Sequence, residues 1–170
     1  MTNENSKFNE YLTKLQNINL PKFADLPQFD LYMDQVIGLV NQFIAPLGID
    51  AITSSMINNY VKHKVIQAPI KKKYTHYQLA NILIIAIAKN VFTLDEIQKG
   101  INNLLATNDA ATTYDAFITT FLDTLHGVNS NLEAQIITQQ INIKNSNTVI
   151  ISLACNSIVQ KLLVEQLINE

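Results

Sequence analysis

The chain of 170 residues has no arginine or tryptophan, a single cysteine, and only four glycines and four prolines. The lone Cys155 excludes an internal disulfide and any multi-thiolate metal site. With no arginine, all twelve basic residues are lysine. Alongside so much Asn and Ile this fits the codon bias of an AT-rich genome, so the choice of Lys over Arg says little about function. Charged residues are few, 15% against 48% hydrophobic, which excludes a disordered chain and describes a globular one with an uncharged, Asn-rich surface. Long apolar runs are missing too. Leu79–Ala88, broken by Asn81, is about half of the ~20 residues that span a bilayer, so it reads as a buried helix. The first ten residues are polar and acidic and lack a signal pattern; the expected location is the cytoplasm, with no membrane partner.

One further absence is local. From Ala51 to Leu94 there is no Asp or Glu, while Lys62, Lys64, Lys71, Lys72, Lys73 and Lys89 contribute +6. The net charge is −2, so the rest of the chain carries −8. A basic island in a near-neutral protein is the footprint of a polyanion binder. A solvated lysine loop would give the same count.

What is present is helical periodicity. Pro21 and Pro27 bracket a linker, Pro46-Leu47-Gly48 closes one periodic stretch, and Pro69 lies in a loop. Between these joints the apolar spacing predicts an all-α fold, with no run that alternates like a strand. Helices are expected near 7–17, 30–45, 54–64, 76–89, 94–106, 113–125, 131–141 and 147–168. Capping boxes fit Thr75–Gln78, Thr93–Glu96 and Ser130–Glu133, and Asp30 and Thr53 fit simple caps. Helix 147–168 is apolar over a wide arc, from Val149 to Leu167, and requires burial in a bundle, in a partner, or in both.

In helix 54–64, at about 100° per residue, Met56, Ile57, Tyr60 and Val61 share one side. Ser54, Ser55, Asn58, Asn59 and Lys62 share the other. That face carries short hydrogen-bonding groups suited to base edges in a major groove, where Asn pairs bidentately with adenine. An ordinary amphipathic helix looks the same. Directly after it, Lys71-Lys72-Lys73-Tyr74-Thr75 sets three lysines in a loop, where they reach phosphates, ahead of a capped helix N-terminus.

Residues Ile52 to Leu105 resemble the MerR winged helix-turn-helix. Thr53–Ile66 corresponds to that family's recognition helix and following apolar pair, Lys73-Tyr74-Thr75 to the returning basic-x-Tyr-Ser motif of its wing, and Asn90–Ile97 to the start of the helix behind the wing. A closer resemblance, carried by Leu20-Pro-Lys-Phe, Asp30–Ile37, Ser55–Lys64 and Pro69–Thr75, is to an uncharacterised family of domains from low-GC Gram-positive bacteria. Its MerR-like character rests on similarity alone. The chain departs from MerR in a longer first helix, a shorter wing, and Ser55 and Asn58 where arginine is common. Cys155 alone cannot supply a metal sensor's cysteines.

Residues 1–25 would then be an N-terminal extension, 26–106 a MerR-like winged helix-turn-helix domain, and 107–170 a helical dimerisation or effector unit. The function implied is a sequence-specific DNA-binding protein of transcription regulation, with double-stranded DNA as partner. Ser54, Ser55, Asn58 and Asn59 would lie nearest the bases; Lys62, Lys71, Lys72, Lys73 and Tyr74 would hold the backbone. A homodimer through the C-terminal helices and a small-molecule effector belong to the same expectation. The alternative is a protein-interaction module on the same scaffold without DNA binding. No phosphate loop, nucleophile elbow or His-Glu-x-x-His motif occurs, so neither an enzyme nor a metal or other cofactor is expected. His63 and His76 flank the lysine loop and could add phosphate contacts. His126 suits a helix C-terminus, and Asp95-Glu96 a helix first turn.

Overall fold

A computed structural model of the chain describes residues 4–128 and 146–169. Seven α-helices and two short strands follow one another among them: α1 (Glu4–Gln16), β1 (Leu31–Tyr32), α2 (Met33–Ile44), α3 (Ser54–Lys62), β2 (Lys73–Tyr74), α4 (His76–Ala88), α5 (Leu94–Leu105), α6 (Ala110–Gly127) and α7 (Ser146–Ile168). The helix and capping box expected from 131 to 141 and at Ser130 lie outside the described residues.

The chain is mainly helical, as the apolar spacing implies, but it is not all-α. β1 and β2 pair antiparallel, Leu31 opposite Tyr74 and Tyr32 opposite Lys73. The expected helix 30–45 therefore starts at Met33, and Asp30 does not cap it. The amide of Tyr32 donates instead to Gln35 Oε1 at 2.9 Å. Two residues per strand are too few for alternation to register, so periodicity could not reveal them.

α4 sits at the centre because it can face nothing else. Leu79, Ala80 and every residue from Ile82 to Ala88 are buried, so it is apolar all round. α2, α5, α6 and α7 pack around it, and one hydrophobic cluster runs from Phe8 to Leu163. α6 opens on Asp109, whose carboxylate accepts the Thr112 amide at 2.7 Å; that cap starts the helix three residues before the expected 113. Its Tyr114 hydroxyl donates to the Pro21 carbonyl and its Asp115 carboxylate accepts the Phe23 amide, fastening the proline linker to the core. Tyr11 does the same for α1, donating to the Leu47 carbonyl at 3.0 Å.

α7 lies along α6 and buries Ile151, Cys155, Ile158, Val159 and Leu162. Its other face leaves Ile150, Leu153, Val164, Leu167 and Ile168 exposed. By length and composition α7 could also cross a membrane. No single run advertised it, since Ser152, Asn156 and Ser157 interrupt its apolar residues.

Candidate nucleic-acid interface

β1, α2, α3, the segment to β2, and α4 form a continuous unit, in which two helices joined by a turn are followed by a hairpin. The turn closes at Gly48, whose φ of 77° is the left-handed conformation that glycine adopts without steric cost. Ile49 and Ile52 bury beneath it. Thr53 then caps α3, its hydroxyl accepting the Met56 amide at 3.3 Å.

Ile57 and Tyr60 point α3 into the core, with Met56 and Val61 partly buried beside them. The opposite face is open: Ser54, Ser55, Asn58, Asn59 and Lys62 are all exposed. None of these five side chains makes a hydrogen bond or ion pair within the described residues. The helix thus presents a row of unspent donors and acceptors.

α3 ends at Lys62, two residues short of the expected 64. The amide of Lys64 bonds to the Val61 carbonyl and that of Val65 to the Tyr60 carbonyl, at 2.9 and 3.0 Å. Lys64 has φ 59°. This is the Schellman ending, whose left-handed residue is usually glycine. Gln98 on α5 braces it, donating to the Lys64 carbonyl at 2.7 Å. Neither Lys64 nor Gln98 stood out in the sequence. Lys64 reads as the last residue of the expected helix and as a charge, and no glycine follows Lys62 to announce a helix end.

The lysine loop is a two-residue hairpin. Ile70 and Lys73 exchange amide–carbonyl bonds of 3.1 and 2.9 Å. Between them Lys71 has φ 49° and Lys72 φ 66°. Two positive φ values make the type I′ turn, which favours Asn-Gly because left-handed backbone costs other residues about 1–2 kcal/mol each. Gln78 ties the segment leading into the hairpin to α4. Its oxygen accepts the Thr75 amide at 2.8 Å as half of the capping box, and its amide donates to the Gln67 carbonyl at 2.8 Å.

Lys71 and Lys72 are exposed at the tip. Lys73 is half-buried, its ammonium 4.9 Å from the centre of the Tyr32 ring. Tyr74 departs from expectation. It is 1% exposed, its ring faces the core from β2, and it has no surface to offer a phosphate. Of the histidines, His63 is exposed. His76 packs against Phe23 and Tyr77 at 5.2 and 4.3 Å, in an aromatic cluster. His126 reaches the Ile18 carbonyl at 2.9 Å and joins α6 to the segment after α1.

Electrostatically the island is unneutralised. Among the described residues the ion pair is Lys161–Glu165 on α7, and no lysine of the acid-free window belongs to one. Lys89 is the window's inward-facing lysine. Burial lowers its pKa and Asp50 partly opposes that shift, while its ammonium lies 3.9 Å from the Met56 sulfur behind α3. No cluster of three or more metal-ligating side chains occurs among the described residues. A cleft of about 530 Å³ opens between α1 and α2, lined by Lys14, Asn17, Gln42 and Phe43 among others. A smaller polar one of about 160 Å³ lies where α7 meets Asp50 and Asn90.

Residues 21–117 match the model of a family described as a domain of unknown function (DUF1836). The match covers more than half of the chain and includes α3 and the hairpin, and the chain belongs to this family. No curated protein and no solved structure matches the chain.

Proposed function

We propose that this member of the DUF1836 family is a sequence-specific DNA-binding protein that acts in transcription regulation, on a MerR-like winged helix-turn-helix. The observation that carries the reading is the open face of α3. Among the described residues, its five polar side chains have no partners, and the neighbouring hairpin lysines belong to no ion pair. Ser54, Ser55, Asn58 and Asn59 face base edges in the major groove; Lys62, Lys71, Lys72 and Lys73 hold the phosphates on either side. The strand–helix–turn–helix–hairpin order, with β1 paired to β2, supports the winged-helix assignment. Few phosphate contacts per chain favour a dimer reading a two-fold operator, with α7 supplying the second copy's surface.

A second reading, a protein-interaction module on this scaffold, draws on Phe29 and Ile70, which are 67% and 72% exposed, with the exposed Tyr32 and Tyr77. Apolar groups so close to the hairpin suit a protein partner.

Selection of bound duplexes from a random pool at two salt concentrations decides between them. An enriched, two-fold symmetric motif establishes a dimeric sequence reader. Absence of binding even at low salt removes the DNA reading and leaves the interaction module. Stabilisation by a small-molecule panel, followed as a thermal shift, tests for an effector.

A further inference from the structure

Three residues other than glycine have positive φ among the described residues: Lys64, Lys71 and Lys72. They occupy two unrelated devices, a helix ending and a hairpin tip, each of which glycine or asparagine would fill with less strain. In both devices the residue present is lysine. All three are exposed, all belong to the acid-free window, and none forms an ion pair. Lysine gains nothing from a left-handed backbone, which presses its Cβ toward the neighbouring carbonyl. The fold uses the left-handed backbone at both places but gains nothing from lysine there, so the choice of residue points to a function.

We propose that Lys64, Lys71 and Lys72 are phosphate-binding residues held in strained backbone, so that the segment after α3 gives up stability for polyanion affinity. Lys64 thereby joins the interface at the end of the helix, flanking the base-reading face opposite Ser54. Lys71 and Lys72, adjacent in a tight turn, project two ammonium groups from one rigid point. Both segments are tied from outside, Lys64 by Gln98 and the approach to the hairpin by Gln78 through Gln67. A loop left to solvate its lysines needs neither brace. The ligand chemistry is the phosphodiester backbone of duplex DNA, so the inference rests on the proposed function.

The test is the full chain carrying Lys64→Gly, Lys71→Asn and Lys72→Gly, compared with the native chain and with a Lys→Arg triple variant. Duplex binding is measured across a salt series, and unfolding by heat. The glycine–asparagine variant is expected to melt several degrees higher. Its log K against log salt slope should be shallower by about 2.7, at about 0.9 per lost phosphate contact. The arginine variant keeps the native slope and melting temperature, since charge and strain are both retained. If the native chain binds duplex DNA and the glycine–asparagine variant shows the same slope, the three lysines are not contacts, and this inference fails while the DNA reading stands. If that variant melts no higher, the left-handed positions carry no strain and the trade-off is refuted. If the native chain binds no duplex at low salt, both readings fall together.

Discussion

Asn41 and Ile52 exchange two hydrogen bonds across the turn between α2 and α3. The Asn41 amide nitrogen donates to the Ile52 carbonyl at 3.1 Å, and the Ile52 amide donates to Asn41 Oδ1 at 2.8 Å. The side chain thus stands in for a strand and fixes where α3 begins relative to α2. Its loss would leave the amide and the carbonyl of Ile52, both partly buried, without these partners. Asn41→Leu should cost about 1–3 kcal/mol in chemical denaturation. It should also speed amide exchange at Ile52 and Thr53 before it affects α4. Exchange that rises uniformly over all helices would show that the pair is not a local buckle.

If α3 binds DNA as proposed, position on its open face separates readers from anchors. Asn58 is one turn before Lys62 and shares its exposure. Asn58→Ala should lose about 1–3 kcal/mol at the selected sequence and little on random duplex. Lys62→Ala should weaken all duplexes alike and reduce the salt slope by about 0.9. Equal losses on both kinds of DNA from Asn58→Ala would remove it from the base-reading set.

How far the sequence carried can be seen in the caps. Thr53, Thr75 and Thr93 were legible because a cap is a local device: hydroxyl and amide lie three residues apart, and where a box forms the reciprocal side chain does too. The amphipathic sides of α3 were legible for the same reason. What escaped depends on partners far along the chain. β1 exists through pairing with residues about forty positions away, and Tyr74 turns inward because that pairing sets its face. Tyr74 read as a surface aromatic beside lysines, since a two-residue strand leaves no periodicity. Lys64 and Lys71-Lys72 hid because lysine is not the residue that left-handed turns advertise. Asp109 escaped although its cap is local, since the large apolar residues of α6 begin only at Tyr114.

The ends of the pH range should act on different groups. Glu96 accepts the amide and hydroxyl of Thr93, and Asp109 those of Thr112; these bonds hold both carboxyls below their ordinary values. Folded values below unfolded ones mean stability that is present at neutral pH and lost as pH falls through the carboxylate range. At the alkaline end, burial pushes Tyr60 up to about 12, and burial with the nearby Glu165 carboxylate does the same for Tyr11. A raised folded pKa gives stability present below the free tyrosine value and lost as pH climbs toward 12. Tyrosinate absorbance and helical dichroism should therefore change together in that alkaline window. Tyrosinate formation completed well before helix loss would contradict the burial of these rings. Burial likewise lifts the Cys155 thiol to about 12, so alkylation at neutral pH should wait for unfolding.

The exposed face of α7 makes the last prediction. Ile150, Leu153, Ser157, Gln160, Val164 and Leu167 follow one another at alternating spacings of three and four, the repeat of a helix seam. Four of the six are apolar, and the polar pair Ser157 and Gln160 sits in the middle. Read from either end, the stripe gives the same order: an apolar pair, a polar pair, an apolar pair. An antiparallel copy would therefore set apolar on apolar and polar on polar about a two-fold axis, which is the requirement of an isologous interface. The buried face, where Phe117 and Phe121 stack at 6.1 Å on α6 and Cys155 packs nearby, would be untouched. The native chain should sediment as a dimer. Leu153→Glu with Leu167→Glu should convert it to a monomer of unchanged helical content and halve the length of the selected DNA motif. Phe121→Ala, a change on the buried side, should instead cost about 3–5 kcal/mol of stability. A native chain that sediments as a monomer at every concentration would remove α7 as a self-interface and, with it, the proposal of a two-fold symmetric operator.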